Sequence, residues 1–205
     1  SMSLMAFILT TLVASVGGPD GVAVYTTGWR VIALAILPML GVASAVTSVT
    51  GAAFGAHDYQ KVKISYLYAL KAGVLTEIVL ALIILIFAQQ ITWIFTWSKT
   101  SARIVGDLSL FLRICWLILP TVAFGMLSSA LFQGVGRGFD ALGMTLIRTL
   151  VFTVPFAWFL GVYLGWGLRG VWIGMTAASI AYIPVAFSWA ILYLKKLLTT
   201  SEKPG

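Results

Sequence analysis

Six long apolar runs, nearly free of charge, occupy most of this sequence, at positions 4–16, 22–54, 64–88, 104–132, 141–164 and 171–194. Of the 205 residues, 60% are hydrophobic and 9% charged, with a mean hydropathy of +1.04. A soluble domain carries about 25% charged residues, and a fold of this size leaves roughly a third of its unfolded surface wet. The solvent for most of this surface is therefore lipid. Inside a bilayer only helices or closed barrels satisfy the backbone, and the alternating ten-residue pattern of a barrel strand is absent. At about 20 residues per crossing, the chain reads as an all-α integral membrane protein: one bundle of six transmembrane helices over 1–198, then a polar tail over 199–205.

The first run holds 13 residues before Gly17-Gly18-Pro19-Asp20-Gly21, which reads as a turn. It spans about 20 Å, short of a hydrocarbon core of about 30 Å. With nothing polar or capping ahead of it, the run is expected to be the tail of a longer helix. Lys61, Lys63, Arg137, Lys195, Lys196 and Lys203 fall at one end of the bundle, and Lys99, Arg103 and Arg169 at the other. This excess places both termini and the loops 55–63 and 133–140 in the cytoplasm. Trp29, Trp93, Trp97, Trp166 and Trp172 then form an aromatic belt at the outer interface.

Two segments echo each other. Leu37-Pro38 precedes Gly51-Ala52-Ala53-Phe54-Gly55 and Asp58; Leu119-Pro120 precedes Gly134-Val135-Gly136-Arg137-Gly138 and Asp140. Repeats are frequent in transporters, whereas Gly-xxx-Gly spacing alone marks close helix packing. Pro38, Pro120, Pro155 and Pro184 each remove a helical hydrogen bond and are expected to kink their helices, as a protein that bends or encloses a cleft requires.

The chemistry-bearing residues are few. The net charge of +7 is scattered between apolar runs and forms no nucleic-acid stripe. Cys115, the single cysteine, reads as a buried packing residue, and His57, the single histidine, as a solvated loop residue. No acids pair in helical register, and no metal-ligand cluster, nucleophile motif or phosphate loop occurs, which disfavours an enzyme. Arg30, Lys71, Glu77, Arg113 and Arg148 lie at membrane depth, where each costs about 2.5–3.5 kcal/mol on insertion scales. Arg30 and Lys71 are near helix ends and can snorkel. Glu77 is about 240° around its helix from Lys71, so it needs a partner from another helix or a proton. Arg113 and Arg148 read equally as cleft residues or as inter-helix structural contacts.

Three stretches together resemble the multidrug and toxic compound extrusion (MATE) family, specifically its C-terminal six-helix half. They are Gly21-Val22-Ala23-Val24-Tyr25 through Trp29-Arg30 and Leu37-Pro38 to Gly51-Ala52-Ala53-Phe54-Gly55-Ala56-His57-Asp58-Tyr59, then Ser129-Ala130-Leu131-Phe132-Gln133-Gly134-Val135-Gly136-Arg137, then Leu168-Arg169-Gly170-Val171-Trp172-Ile173-Gly174. The resemblance implies twelve helices in two lobes, exporting small organic cations across the plasma (inner) membrane in exchange for Na⁺ or H⁺. This chain would supply one lobe and one wall of the cleft. Its counterpart would be the missing N-terminal lobe or a second copy in a parallel dimer. In one branch of the family two acids of this lobe hold the coupling cation; their positions fall near Met2 and Val122, which cannot ligate it. The coupling site is therefore expected outside this chain, which needs no metal or cofactor of its own. Glu77, Arg113, Arg148 and Gln133 are the candidates for the substrate cleft. The arginines Arg30, Arg113 and Arg148 also suit a lipid-linked oligosaccharide flippase of a related fold. A non-transporting membrane subunit is the remaining alternative.

Overall fold

A computed structural model describes residues 2–95 and 104–201, with side chains over 7–95 and 104–199. Lys99, Arg103, Trp97 and Lys203 lie outside the described residues. The described chain is helical, and no strand occurs among those residues. The elements are α1 (Met2–Gly55), α2 (Tyr59–Ile86), α3 (Ala88–Phe95), α4 (Val105–Cys115), α5 (Ile118–Gly134), α6 (Gly138–Leu146), α7 (Val154–Trp158) and α8 (Gly167–Ser201). Two π-helical stretches, Ile147–Thr153 and Phe159–Tyr163, flank α7.

The expected five-residue turn at 17–21 is far tighter than that. Only Gly18 leaves helical geometry, at φ 58° and ψ −157°, and helix resumes at Pro19. Glycine enters that region without a steric penalty, and Pro19 has the fixed φ that suits a first helical position. The turn is sharp: a Cβ on Gly21 would lie 3.5 Å from the Val13 side chain. In a straight helix residues eight apart are separated by about 12 Å. The two arms of α1 therefore fold back on each other at Gly18. Leu168 of α8 caps the corner, 3.0 Å from the same Cβ position.

The fourth segment is broken as well. α4 and α5 meet at 53° across Trp116 and Leu117. Pro120 has no N–H to offer the Trp116 carbonyl, which takes the Leu119 N–H instead at 3.2 Å. The tightened turn lies one turn ahead of the proline, where its ring crowds the chain. Pro155 opens α7 between the two π stretches. Pro38 and Pro184, expected as kinks, lie inside helices that run on through them. With α4 and α5 counted as one bent span, five stretches among the described residues are long and apolar enough to cross a membrane, and the short arm of α1 ahead of Gly18 packs beside them.

The centre of the bundle is α5, which packs on α1, α2, α6 and α8. Its buried residues, among them Leu119, Ala123, Leu127, Leu131 and Phe132, take up most of its circumference and leave Met126, Ser129 and Gln133 as a less buried strip. The helix α2 presents one stripe: Val62, Tyr66, Leu70, Gly73, Glu77, Ala81 and Ile84 are buried at repeating steps of four, four and three. Gly73 sits against Met39 of α1 and Leu127 of α5. Tyr66 and Ser128 close a buried hydrogen bond at 2.8 Å. Leu34, Leu75, Ile86 and Leu192 point outward, as lipid-facing residues should.

The aromatic belt needs one correction. Trp93 and Trp166 are exposed, but Trp172 is only 1% exposed. It stacks on Tyr25 at 6.0 Å and meets the Phe111 ring edge-on at 4.8 Å. The close approach of Phe111 to Gly28, which has no Cβ in its way, leaves this cluster tightly packed.

The echoed glycines are asymmetric. A Cβ on Gly51 would lie 3.0 Å from the Gly134 carbonyl oxygen, and a Cβ on Gly134 would lie 2.6 Å from the Thr47 carbonyl oxygen. Here α1 and α5 touch backbone to backbone, and Thr47 Oγ1 donates across the contact to the Ala130 carbonyl at 3.2 Å. Gly55 and Gly138, the second members of each pair, have nothing within 4 Å of a Cβ. Beyond the contact, Asp58 caps α2 by accepting the Lys61 N–H at 3.0 Å. Arg137 grips Asp140 through two bonds of 2.7 and 3.2 Å and lies over the Tyr193 ring. Gly134→Ala must push α1 from α5 and is expected to cost about 1–3 kcal/mol, the usual range for overpacking. Gly55→Ala should leave the thermal midpoint of the purified protein unchanged. Equal midpoints for both variants would show that the contact does not matter.

Candidate functional site

An open cleft of roughly 890 Å³ runs along one face of the bundle. Its walls come from α1, α5, α8 and the α6–π segment. On α5 the lining residues are Ile118, Thr121, Val122, Gly125, Met126, Ser129, Ala130 and Gln133. They step by three and one, a single helical stripe. On α1 the lining includes Trp29, Ile36, Leu40, Ala43, Ser44, Thr47 and Ser48. Apolar residues dominate toward Trp29 and Ile118, whereas hydroxyls and an amide gather toward Ser48 and Gln133.

Most of those hydroxyls spend their protons on nearby carbonyls. Ser48 donates to the Ser44 carbonyl at 3.1 Å, Thr121 to Ile118 at 2.6 Å, and Ser179 to Met175 at 2.8 Å. Thr145 donates to Ala141 at 3.1 Å. A hydroxyl with its proton committed still offers lone pairs. The wall therefore presents mainly acceptor oxygens. Gln133 turns one amide N–H to Ser129 Oγ at 3.2 Å.

Arg148 is the charged side chain among the described lining residues, and no Asp or Glu is among them. It stands on the π stretch, whose backbone is held by Thr153 Oγ1 donating to the Arg148 carbonyl at 2.9 Å. The π geometry and Pro155 together set this segment apart from a regular helix, a feature common at functional sites. Gly125 on α5 makes room opposite: a Cβ there would lie 3.8 Å from Arg148 Nη1 and 3.2 Å from the Tyr182 ring. Tyr182 is committed elsewhere, its hydroxyl donating to the Met144 carbonyl at 3.1 Å. No carboxylate among the described residues pairs with Arg148. Gln133 lies eight residues beyond Gly125, about 12 Å further along α5.

Of the four cleft candidates, the structure brings Arg148 and Gln133 to the cleft. Arg113 is exposed on the outside of α4 and does not line it. Glu77 does not line it either. It is 0% exposed in the buried stripe of α2, and both carboxylate oxygens lack a hydrogen-bond partner. The four prolines are also outside the lining. Sequence reading passed over Tyr182, Gly125 and the Ser44–Thr47–Ser48 face. Their signal was present: small and hydroxylic residues at three- and four-residue spacing within two otherwise apolar helices. Cys115 is fully buried, and no cluster of metal-ligating side chains occurs among the described residues.

The orphaned oxygens of Glu77 make a prediction. A buried polar group without partners costs about 1–3 kcal/mol, and replacing it by an apolar group of similar shape recovers that cost. Glu77→Met is expected to raise the thermal midpoint of the purified protein. A lowered midpoint would mean that Glu77 has a partner, contrary to its surroundings here.

Comparison with known proteins gives consistent results. The MatE family model matches residues 1–159. The Probable multidrug resistance protein NorM of Bacillus cereus is 25% identical over 193 residues, covering 92% of this chain and 40% of that protein. Among solved structures, an inward-facing multidrug resistance MATE family transporter of the MOP superfamily matches with a TM-score of 0.92 and 42% identity. That match covers 98% of this chain and 46% of the other. An outward-facing MATE family transporter matches with a TM-score of 0.93 and 42% identity, over 97% and 44% of the two chains. The chain thus spans less than half the length of these relatives. With the family model matching most of its length and its helical bundle matching about half of such transporters, this chain belongs to the MatE family.

Proposed function

We propose that this chain forms one wall of the substrate cleft of a secondary multidrug exporter, taking small organic cations in exchange for Na⁺ or H⁺. The cleft carries the reading: a groove open along one face, apolar at one end and acceptor-lined at the other, suits aromatic cations with donor groups. The opposite wall would come from an N-terminal lobe or from a second copy in a parallel dimer. The fold of this half matches an inward-facing and an outward-facing transporter almost equally, which supports a lobe that moves as a unit while access alternates. Val122 lines the cleft and is apolar, and no acid joins it among the described lining residues. The coupling acid would then lie in the other wall.

A second reading has one observation in its favour. Arg148 gives the cleft a positive centre, as transport of an anionic, lipid-linked sugar would require. Transport separates the two. Cells producing the full gene product should accumulate less of a cationic dye, and collapse of the proton and sodium gradients should remove the difference. Unchanged dye accumulation, with translocation of pyrophosphate lipids in proteoliposomes, would overturn the first reading in favour of the second. The 205-residue chain reconstituted alone is expected to give no flux.

The loop charges favour the 55–58 and 135–137 turns on the cytoplasmic side of the inner membrane. Cys115 is buried, so introduced thiols can report orientation. His57→Cys should react with a membrane-impermeant maleimide only in inverted vesicles, and Trp166→Cys only in intact cells. The opposite pattern would reverse the topology.

A further inference from the structure

We propose that Arg148 is the specificity-determining contact of the cleft, where it holds the acidic oxygen group of an amphiphilic substrate. The inference rests on the reading of the cleft as a substrate path. A guanidinium presents five N–H donors in a planar fork, suited to two oxygens of a carboxylate or phosphate at once. No carboxylate among the described residues supplies those two oxygens to Arg148. Tyr182 and Thr153, which line the cleft with it, donate to the Met144 and Arg148 carbonyls and each offer a single neutral oxygen, not the paired anionic oxygens that the fork fits. No acid lines the cleft among the described residues. Gly125 keeps the space beside Nη1 clear of a side chain.

The rest of the wall has the opposite character. Thr47, Ser48 and Thr145 have their protons committed and present lone pairs. One wall therefore offers a donor-rich cation at its middle and acceptors toward one end. A substrate that is only cationic satisfies the acceptors but meets repulsion at Arg148. A substrate carrying both a cationic or donor group and an acidic group satisfies both.

The test uses a matched probe pair, a xanthene dye with a free carboxylate and its ethyl ester, which keeps the cation and removes the acid. Binding of each to the protein purified from membranes is followed by fluorescence anisotropy. In Arg148→Gln the acid-to-ester affinity ratio should fall about tenfold or more, as expected for loss of a charge-assisted hydrogen bond. Ester binding should tighten as the repulsion is removed, which also shows that the variant is folded. Arg148→Lys, which keeps the charge without the fork, should retain part of the ratio. A ratio that Arg148→Gln leaves unchanged would overturn the inference and leave the cleft reading standing. Failure of the wild-type protein to bind either dye would overturn both. Decyl phosphate as competitor identifies the source of the acid. Displacement of the acid dye from wild type but not from Arg148→Gln assigns a lipid-type phosphate, and no displacement assigns an organic carboxylate.

Discussion

The packing of α5 holds the bundle together. Apolar side chains gain little by leaving lipid for one another, so helices in a membrane associate through close van der Waals packing and hydrogen bonds between them. The helix α5 supplies both. Leu127 reaches Gly73 of α2, Ser128 meets the Tyr66 hydroxyl, and the Ala130 carbonyl accepts from Thr47 of α1. Gly134 lets the two backbones touch where any side chain would hold them apart. Because α5 is engaged on several sides at once, its remaining face is left to form the floor of the cleft.

The all-helical, membrane-crossing character was legible in the sequence because lipid imposes the same length and polarity on every crossing. Local geometry was less so. Five turn-forming residues at 17–21 suggested a loop, yet one residue, Gly18, makes the whole turn. A proline in a helix signals a lost hydrogen bond but not its outcome. At Pro120 the chain bends by the neighbouring turn, while Pro38 and Pro184 are carried within continuing helices. The π stretches around Pro155 left no trace in hydropathy, which sees composition and not winding.

The site was legible in part, for a related reason. Charge at membrane depth marks a residue as unusual without saying which way it points. Arg148 turns inward to the cleft, Arg113 outward, and Glu77 into a packed seam between helices. Trp172 shows the same ambiguity: its place near the end of a segment suggested an interface, but Tyr25 and Phe111 enclose it. The hydroxyl face of the cleft was overlooked because serine and threonine are well tolerated in membrane helices, where they bond to their own backbone. That same habit turns them from donors into acceptors.

The glycine contact between α1 and α5 lies at one end of the cleft, close to the turns that carry His57 and Arg137. Two rods that meet at a point change their separation least there and most at their far ends. The Gly51–Gly134 contact is in that sense a fulcrum. Parting the two helices would cost least toward Trp29 and Ile118, where the lining is apolar and, among the described residues, no side-chain hydrogen bond joins α1 to α5.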